Sequence, residues 1–310
     1  MIEEEVSINA NGNQLSGTIC LPSESGRFPV IIMIHGSGPL DRDENMPLQK
    51  LNVFNVIAHS LARQGFASLR YDKRGCGKST GDYYSAGLFD VVDDAVSWFD
   101  FVTANEHFDA NQIFLLGHSE GCIIAPQVNI QRQNVAGHIL LCPFVDTIDS
   151  ILLKQAAQIE KEFEESKGFG GFLRKLFGWM MGANVQSQKK LIEKIKLFDK
   201  DVMWLMFQKL PAKSLRELMS LDAPAIFKQI TRPMLIIGAE KDLQCDPTDV
   251  HRIAELVNAP VEKHVLKDLT HILRAHEGKP SMLETTKLLR KPIEPIVLET
   301  IEKWLKTRVL

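Results

Sequence analysis

The most explicit chemical spacing in this chain is Gly117-His118-Ser119-Glu120-Gly121, a G-x-S-x-G pentad. The apolar run Ile113-Phe-Leu-Leu116 leads into it, and an apolar stretch with helical spacing, starting at Cys122-Ile-Ile124, follows. Strand, pentad and helix in that order place the serine at the tip of a sharp, strained turn. A Cβ at either flanking glycine would crowd the strand or the helix. The helix then begins at the serine, so its unpaired N–H groups face any oxyanion formed there. This arrangement suits attack on a carbonyl. A serine hydroxyl is a weak nucleophile at neutral pH, so it needs a neutral imidazole to take its proton and a carboxylate to hold that imidazole.

Those partners are sought in the order serine, acid, histidine, each on a loop after a strand. Among the later histidines, His251 falls in a helical stretch, His264 inside a strand and His276 further along a loop. His271, in Lys267-Asp-Leu-Thr-His271, comes directly after the strand Val261 to Leu266 and is the expected base. Asp242 follows the apolar strand Pro233 to Gly238 and is the expected acid. Glu240 sits nearer the strand end, while Asp246 and Asp249 belong to the next turn and helix. The rival is Asp146, after the strand Val135 to Cys142, which is read instead as a helix-start or hinge residue. The oxyanion donors expected are the backbone N–H groups of Glu120 and of Ser37, in the turn His35-Gly36-Ser37. The Glu120 carboxylate is expected to point away, because a negative charge beside a developing oxyanion is unfavourable.

Asp72-Lys-Arg-Gly-Cys-Gly-Lys-Ser79 ends like a phosphate loop, but G-x-x-x-x-G-K-[ST] needs a glycine where Asp72 stands. A carboxylate there would repel the phosphates. The expectation is a tight turn, with Asp72 and Arg74 paired to fix the loops.

The elements that must position these groups alternate. An Asn11-Gly12 turn between alternating segments predicts an antiparallel hairpin over residues 6–21. Val30 to Ile34 is an unbroken apolar run, as in a strand covered on both faces. Helices are predicted over 48–64 and 88–103, with a strand over 66–71 between them. After Cys142 the strand pattern stops. From Thr147 to Leu221 the chain reads as helical, through Lys154–Phe163, Gly171–Met181, Lys189–Leu197 and Val202–Leu210, and is rich in Met and aromatic residues. Alternation resumes at Pro233, with helices predicted near 248–257 and 295–305. The fold class is therefore α/β, a mostly parallel sheet with helices on both faces. The core is expected to span 1–146 and 222–310, and residues 147–221 to form a helical cap or lid over an apolar acyl pocket.

Composition excludes several classes. A net charge of −3 carries no polybasic footprint, so nucleic acid is not an expected partner. The acidic Met1-Ile-Glu-Glu-Glu5 start lacks the basic and apolar regions of a secretory signal. The run Val30–Ile34 is too short to cross a membrane, so stable membrane insertion is not expected. Five scattered cysteines, with no C-x-x-C, suggest reduced thiols in the cytoplasm, and neither a metal site nor a cofactor is spelled out.

Together, His35-Gly-Ser-Gly-Pro-Leu-Asp-Arg-Asp43, Arg70-Tyr-Asp-Lys-Arg-Gly-Cys-Gly-Lys-Ser79 and Gly117–Gly121 resemble the α/β-hydrolase superfamily, and within it bacterial serine esterases. The resemblance covers the chain apart from the 147–221 insertion. It implies an α/β-hydrolase fold and hydrolysis of carboxylic esters of short to medium acyl chains, with Ser119, Asp242 and His271 as triad. Cys122 departs from it, since relatives often carry a second glycine there. Serine aminopeptidase, acyl-CoA thioesterase and a non-catalytic binding protein on the same fold are the alternatives. The sequence leaves the physiological substrate and the oligomeric state open.

Overall fold

The computed structural model describes residues 1–166, 184–205, 207–282 and 285–309. Strands β1 (Ile2–Ala10) and β2 (Asn13–Leu21) form the expected hairpin, paired from Ile2 opposite Leu21 to Ala10 opposite Asn13. Asn11 and Gly12 make its turn with φ of 51° and 77°, the left-handed pair that matches the twist of flanking strands.

The chain then alternates through β3 (Phe28–Ile34), α1 (Val53–Arg63), β4 (Ala67–Tyr71), α2 (Leu88–Ala104), β5 (Phe108–His118), α3 (Gly121–Gln131) and β6 (Gly137–Leu141). It leaves the sheet for α4 (Ile148–Glu165), α5 (Val185–Leu197), β7 (Val202–Leu205), β8 (Gln208–Pro211), α6 (Ala212–Met219) and α7 (Ala223–Lys228). It returns for β9 (Met234–Ala239), α8 (Asp249–Leu256), β10 (Val261–Leu266), α9 (Thr285–Leu288) and α10 (Pro295–Lys306).

The main sheet has eight strands in the order β1-β2-β4-β3-β5-β6-β9-β10. Every pair from β4 to β10 is parallel, and β2 meets β4 antiparallel. Side-chain alternation along β3 divides the core. Val30, Ile32 and Ile34 pack with Trp98, Val102 and Val128 of α2 and α3, while Ile31 and Met33 pack with Phe54 and Trp304 of α1 and α10. Helices thus cover both faces, which is why the central strands carry unbroken apolar runs. The parallel order also brings the carboxyl ends of β3, β5, β6 and β9 to one edge, where loops collect.

Two of the helix expectations require correction. The first helix starts at Val53 rather than residue 48, because Asn52 has φ 50° and exchanges side-chain and backbone hydrogen bonds with Asn45. Val202–Leu210 is not a helix. Val202–Leu205 and Gln208–Pro211 pair instead as β7 and β8, with Met203 buried against Ile195 and Ala212 while Trp204 faces outward. A short Val- and Trp-containing run satisfies either period, and pairing decided it. The predicted helix over 171–181 lies outside the described residues.

Asp72 and Arg74 do not pair with each other. The Asp72 carboxylate accepts from the Arg42 backbone N–H at 2.8 Å and its Nη2 at 2.6 Å, while Arg74 grips Asp94 through two bonds of 2.6 and 2.7 Å. Burial would raise Asp72, but Arg42 and the Lys78 N–H outweigh it and hold the carboxyl below its ordinary range. The pair fastens the loop after β3 to the loop after β4. Among the described residues, no helix is long and apolar enough to cross a membrane.

Candidate active site

Ser119 stands between β5 and α3 with φ +53°, a left-handed conformation costing a non-glycine residue on the order of 1–3 kcal/mol. The flanking glycines explain how the turn closes. A Cβ on Gly117 would lie 2.3 Å from the Gly121 carbonyl oxygen, and one on Gly121 would lie 2.0 Å from that of Ile34. The Ser119 N–H donates to the Leu141 carbonyl at 2.9 Å, anchoring the tip to β6. Strain and anchoring fix the serine at the rim of the sheet.

Asp242 and His271 arrive from the loops after β9 and β10. Their side chains join directly, His271 Nδ1 to Asp242 Oδ2 at 2.7 Å, and both residues are 8% exposed. The other Asp242 oxygen accepts from the Gln244 and Cys245 N–H groups at 2.7 and 2.9 Å, so the carboxylate has a fixed orientation. Asp146, the rival acid, is held elsewhere by Lys154 and Arg252 at 2.7 Å each. Ser119 and His271 line one cavity. Among the described residues no hydrogen bond joins them. A turn of Ser119 about χ1 toward the imidazole is the adjustment that a resting site commonly makes on binding substrate. Burial pushes the Cys245 thiol well above its ordinary range, so it stays protonated and does not compete as a nucleophile.

The two expected oxyanion donors face the same cavity. Ser37 follows β3 and Glu120 caps α3, and both line the wall that holds Ser119. Among the described residues, neither the Ser37 N–H nor the Glu120 N–H is given to a protein acceptor. Unsatisfied donors at a helix start are suited to a developing negative charge. The Glu120 carboxylate does not simply turn away. It accepts from the Ser37 hydroxyl at 2.9 Å and lies 3.5 Å from the Lys73 ammonium, which compensates its charge.

Sequence reasoning missed Lys73, Glu44 and the use of His118. Lys73 is 3% exposed and donates to the Gly36 carbonyl at 2.5 Å, bracing the oxyanion turn. Its signal was a lysine inside the Arg70–Ser79 motif, between the aspartate and arginine that fix two loops. Three histidines converge here and their surroundings separate them. Burial, aided by Lys73, lowers His35 to about 4, so it is neutral. Burial opposes charge on His118, yet the Glu44 carboxylate 2.7 Å away prevails and raises it. His118 and His271 both line the cavity with a carboxylate 2.7 Å away, but His118 commits its second ring nitrogen to the His271 carbonyl, whereas His271 Nε2 makes no hydrogen bond among the described residues. Cys142, Asp242 and His271 also place three metal-type donor atoms within 4.8 Å of one another. All three are buried and the carboxylate–imidazole bond is already made, so the grouping supports Asp242 rather than offering an open coordination site.

The cavity measures about 490 Å³, within the range of small-molecule sites. Its far wall is mostly apolar, from Ile148, Ile151 and Leu152 of α4 and Leu215 and Leu218 of α6, with Gln155 and Ser214 as the polar members those helices add. Among the described residues its lining carboxylates are Glu44 and Glu120. Both already have partners.

Comparison with known proteins bears on the family and the fold. A family model described as Serine aminopeptidase, S33 (Hydrolase_4) matches residues 49–277. Esterase EstD of Thermotoga maritima is 29% identical over 308 residues, covering 97% of this chain and 67% of that protein. Among solved structures, Est1E from Butyrivibrio proteoclasticus with ferulic acid bound superposes with TM-score 0.63 at 17% identity, covering 98% of each chain. The α/β hydrolase GrgF from Penicillium sp. sh18 gives TM-score 0.63 at 19% identity over 99% of each. At such identities the structural likeness concerns the fold.

Proposed function

This chain belongs to the Serine aminopeptidase, S33 family of α/β-hydrolases, and from that premise we propose that it is a serine esterase acting on small, apolar carboxylic esters. The observation that carries the proposal is the 2.7 Å Asp242–His271 bond beside a cavity lined by His271, Ser119 and the two residues, Ser37 and Glu120, whose N–H groups have no protein acceptor among the described residues. Similarity to an esterase over 97% of the chain supports the same reading.

In this mechanism His271 takes the Ser119 proton as Oγ attacks the ester carbonyl carbon. The oxyanion receives the Ser37 and Glu120 N–H groups. Collapse breaks the bond to the alcohol oxygen, which leaves with the proton from His271. Water, deprotonated by the same imidazole, then adds to the acyl-enzyme, and the acid departs as Ser119 regains its proton. Residues 147–221 act as a cap, and the apolar side chains of α4 and α6 form the acyl wall. Motif residues His35–Asp43 and Gly117–Gly121 supply the oxyanion turn and the nucleophile, as in the bacterial serine esterases they resemble. A cytoplasmic setting accords with five free, buried cysteines.

Peptide cleavage from a free amino terminus is the second reading, favoured by the family description. It requires an acidic group free to hold an ammonium. Glu44 is taken by His118 and Gly36, and Glu120 by Ser37 and Lys73. Of the other candidates for that task, Glu162 serves Gln158, the Ser281 hydroxyl and the Met282 N–H, Glu165 pairs with Lys279, and Glu164 is exposed and does not line the cavity. The cavity therefore suits a neutral substrate. Turnover of p-nitrophenyl acetate, butyrate and octanoate, alongside aminoacyl p-nitroanilides and an acyl-CoA, tests this. Butyrate is expected to exceed acetate about tenfold in kcat/KM, because two methylenes gain roughly 1.6 kcal/mol on burial. Faster cleavage of an aminoacyl anilide than of any ester would overturn the proposal.

A further inference from the structure

We propose that Glu44 and His118 are positioning residues, a buried carboxylate–imidazolium pair that holds the oxyanion turn, the elbow and His271 in one register. The inference rests on the esterase reading, since it concerns how that site is held.

Hydrogen-bond geometry places one proton on the ring, and the surrounding charge places the other. His118 Nε2 lies 2.9 Å from the His271 backbone carbonyl, which has no proton to give, so Nε2 carries a hydrogen. His118 Nδ1 lies 2.7 Å from Glu44 Oε2, while Glu44 Oε1 accepts the Gly36 N–H at 2.8 Å. Burial would raise the Glu44 carboxyl, but His118 and the Gly36 N–H outweigh it and keep the group ionised. An ionised Glu44 can only accept, so Nδ1 carries a hydrogen too. The ring is an imidazolium with both N–H groups committed. Glu44 is 1% and His118 3% exposed, so neither borrows a partner from solvent. Breaking such a pair from one side leaves an uncompensated buried charge.

Each end of the chain of bonds meets the reaction centre. Gly36 precedes Ser37, His118 precedes Ser119, and the carbonyl held by Nε2 belongs to His271 itself. His118 faces Glu44, Asp242 and the His271 ring, whose centroid is 5.2 Å from its own. Glu44 also faces His35, Arg274 and the Cys122 thiol. Of these, the Glu44 charge keeps His118 protonated against burial.

Two substitutions separate the pair's bonds from its charge. Glu44→Leu removes both acceptors, so the Gly36 N–H and His118 Nδ1 lose their partner together. Freed of its hold, the oxyanion turn shifts against the elbow, and small displacements at a reacting site cost up to about 100-fold in rate. Glu44→Gln keeps the bonds but not the charge. Its amide oxygen can accept the Gly36 N–H while its NH2 donates to Nδ1, which requires a neutral ring with its hydrogen on Nε2.

Rates on p-nitrophenyl butyrate are normalised to serine titrated by a fluorophosphonate. Glu44→Leu is expected to lose about 100-fold in kcat with KM within about twofold, and Glu44→Gln to recover to within about tenfold of wild type. Nitrogen NMR of histidine-labelled protein at pH 8 reads the ring directly. His118 is expected to show two protonated ring nitrogens in the wild type and one in Glu44→Gln. An unchanged kcat in Glu44→Leu, or a neutral His118 in the wild type, overturns the proposal. If Glu44→Leu does not fold, the wild-type spectrum and Glu44→Gln decide. A wild type inactive on every ester would instead sink the esterase reading, while the NMR result would still judge the pair.

Discussion

Ser119→Ala is expected to lower kcat on p-nitrophenyl butyrate by about a million-fold, to the level left by binding and oxyanion donors alone. No neighbouring group can substitute. Cys245, a thiol lining the same cavity, is kept protonated by burial, and the three converging histidines divide into a neutral one, a cationic one and the proposed base itself. Alanine fits the elbow as well as serine does in volume, so the melting temperature reports whether the fold survived. Activity retained within tenfold of wild type would mean that another residue attacks the ester.

Asp242→Asn is expected to cost about 10,000-fold in kcat with the fold intact. The reason lies in the other oxygen. Asp242 Oδ1 accepts two backbone N–H groups, from Gln244 and Cys245, and an asparagine must place its amide oxygen there to avoid opposing donors. Its NH2 then faces His271 Nδ1, where Asp242 Oδ2 now accepts at 2.7 Å. His271 is forced into the tautomer that carries its hydrogen on Nε2, and that nitrogen can no longer take the Ser119 proton. Asp146→Asn, which disturbs only contacts to Lys154 and Arg252, serves as the control and is expected to stay within about twofold of wild type, as for ordinary surface substitutions. Reversal of the two effects in steady-state kinetics would exchange the roles of the aspartates.

The fold was legible because its strongest signals are local. Unbroken apolar runs such as Val30–Ile34 mark strands covered on both faces, and Asn11-Gly12 marks a turn that needs left-handed residues. Chain order led from Ser119 to Asp242 and His271, the latter two now joined at 2.7 Å, because loops at one edge of a parallel sheet converge whatever their separation in sequence. Contacts between distant charged residues left no such trace. Nothing local assigns Asp72 to Arg42 rather than Arg74, or shows that Glu44 reaches across to His118. The β7–β8 pairing was missed for a related reason: four-residue strands are too short for a period, and the partner strand alone stabilises them.

The most direct test is to find the acyl group. Protein mixed with p-nitrophenyl butyrate and acid-quenched within the burst should gain one butyryl group in intact mass, and peptide mapping should place it on Ser119. An adduct on Cys245 or any other residue, or steady ester turnover with no acylated protein at all, would contradict a Ser119 acyl-enzyme.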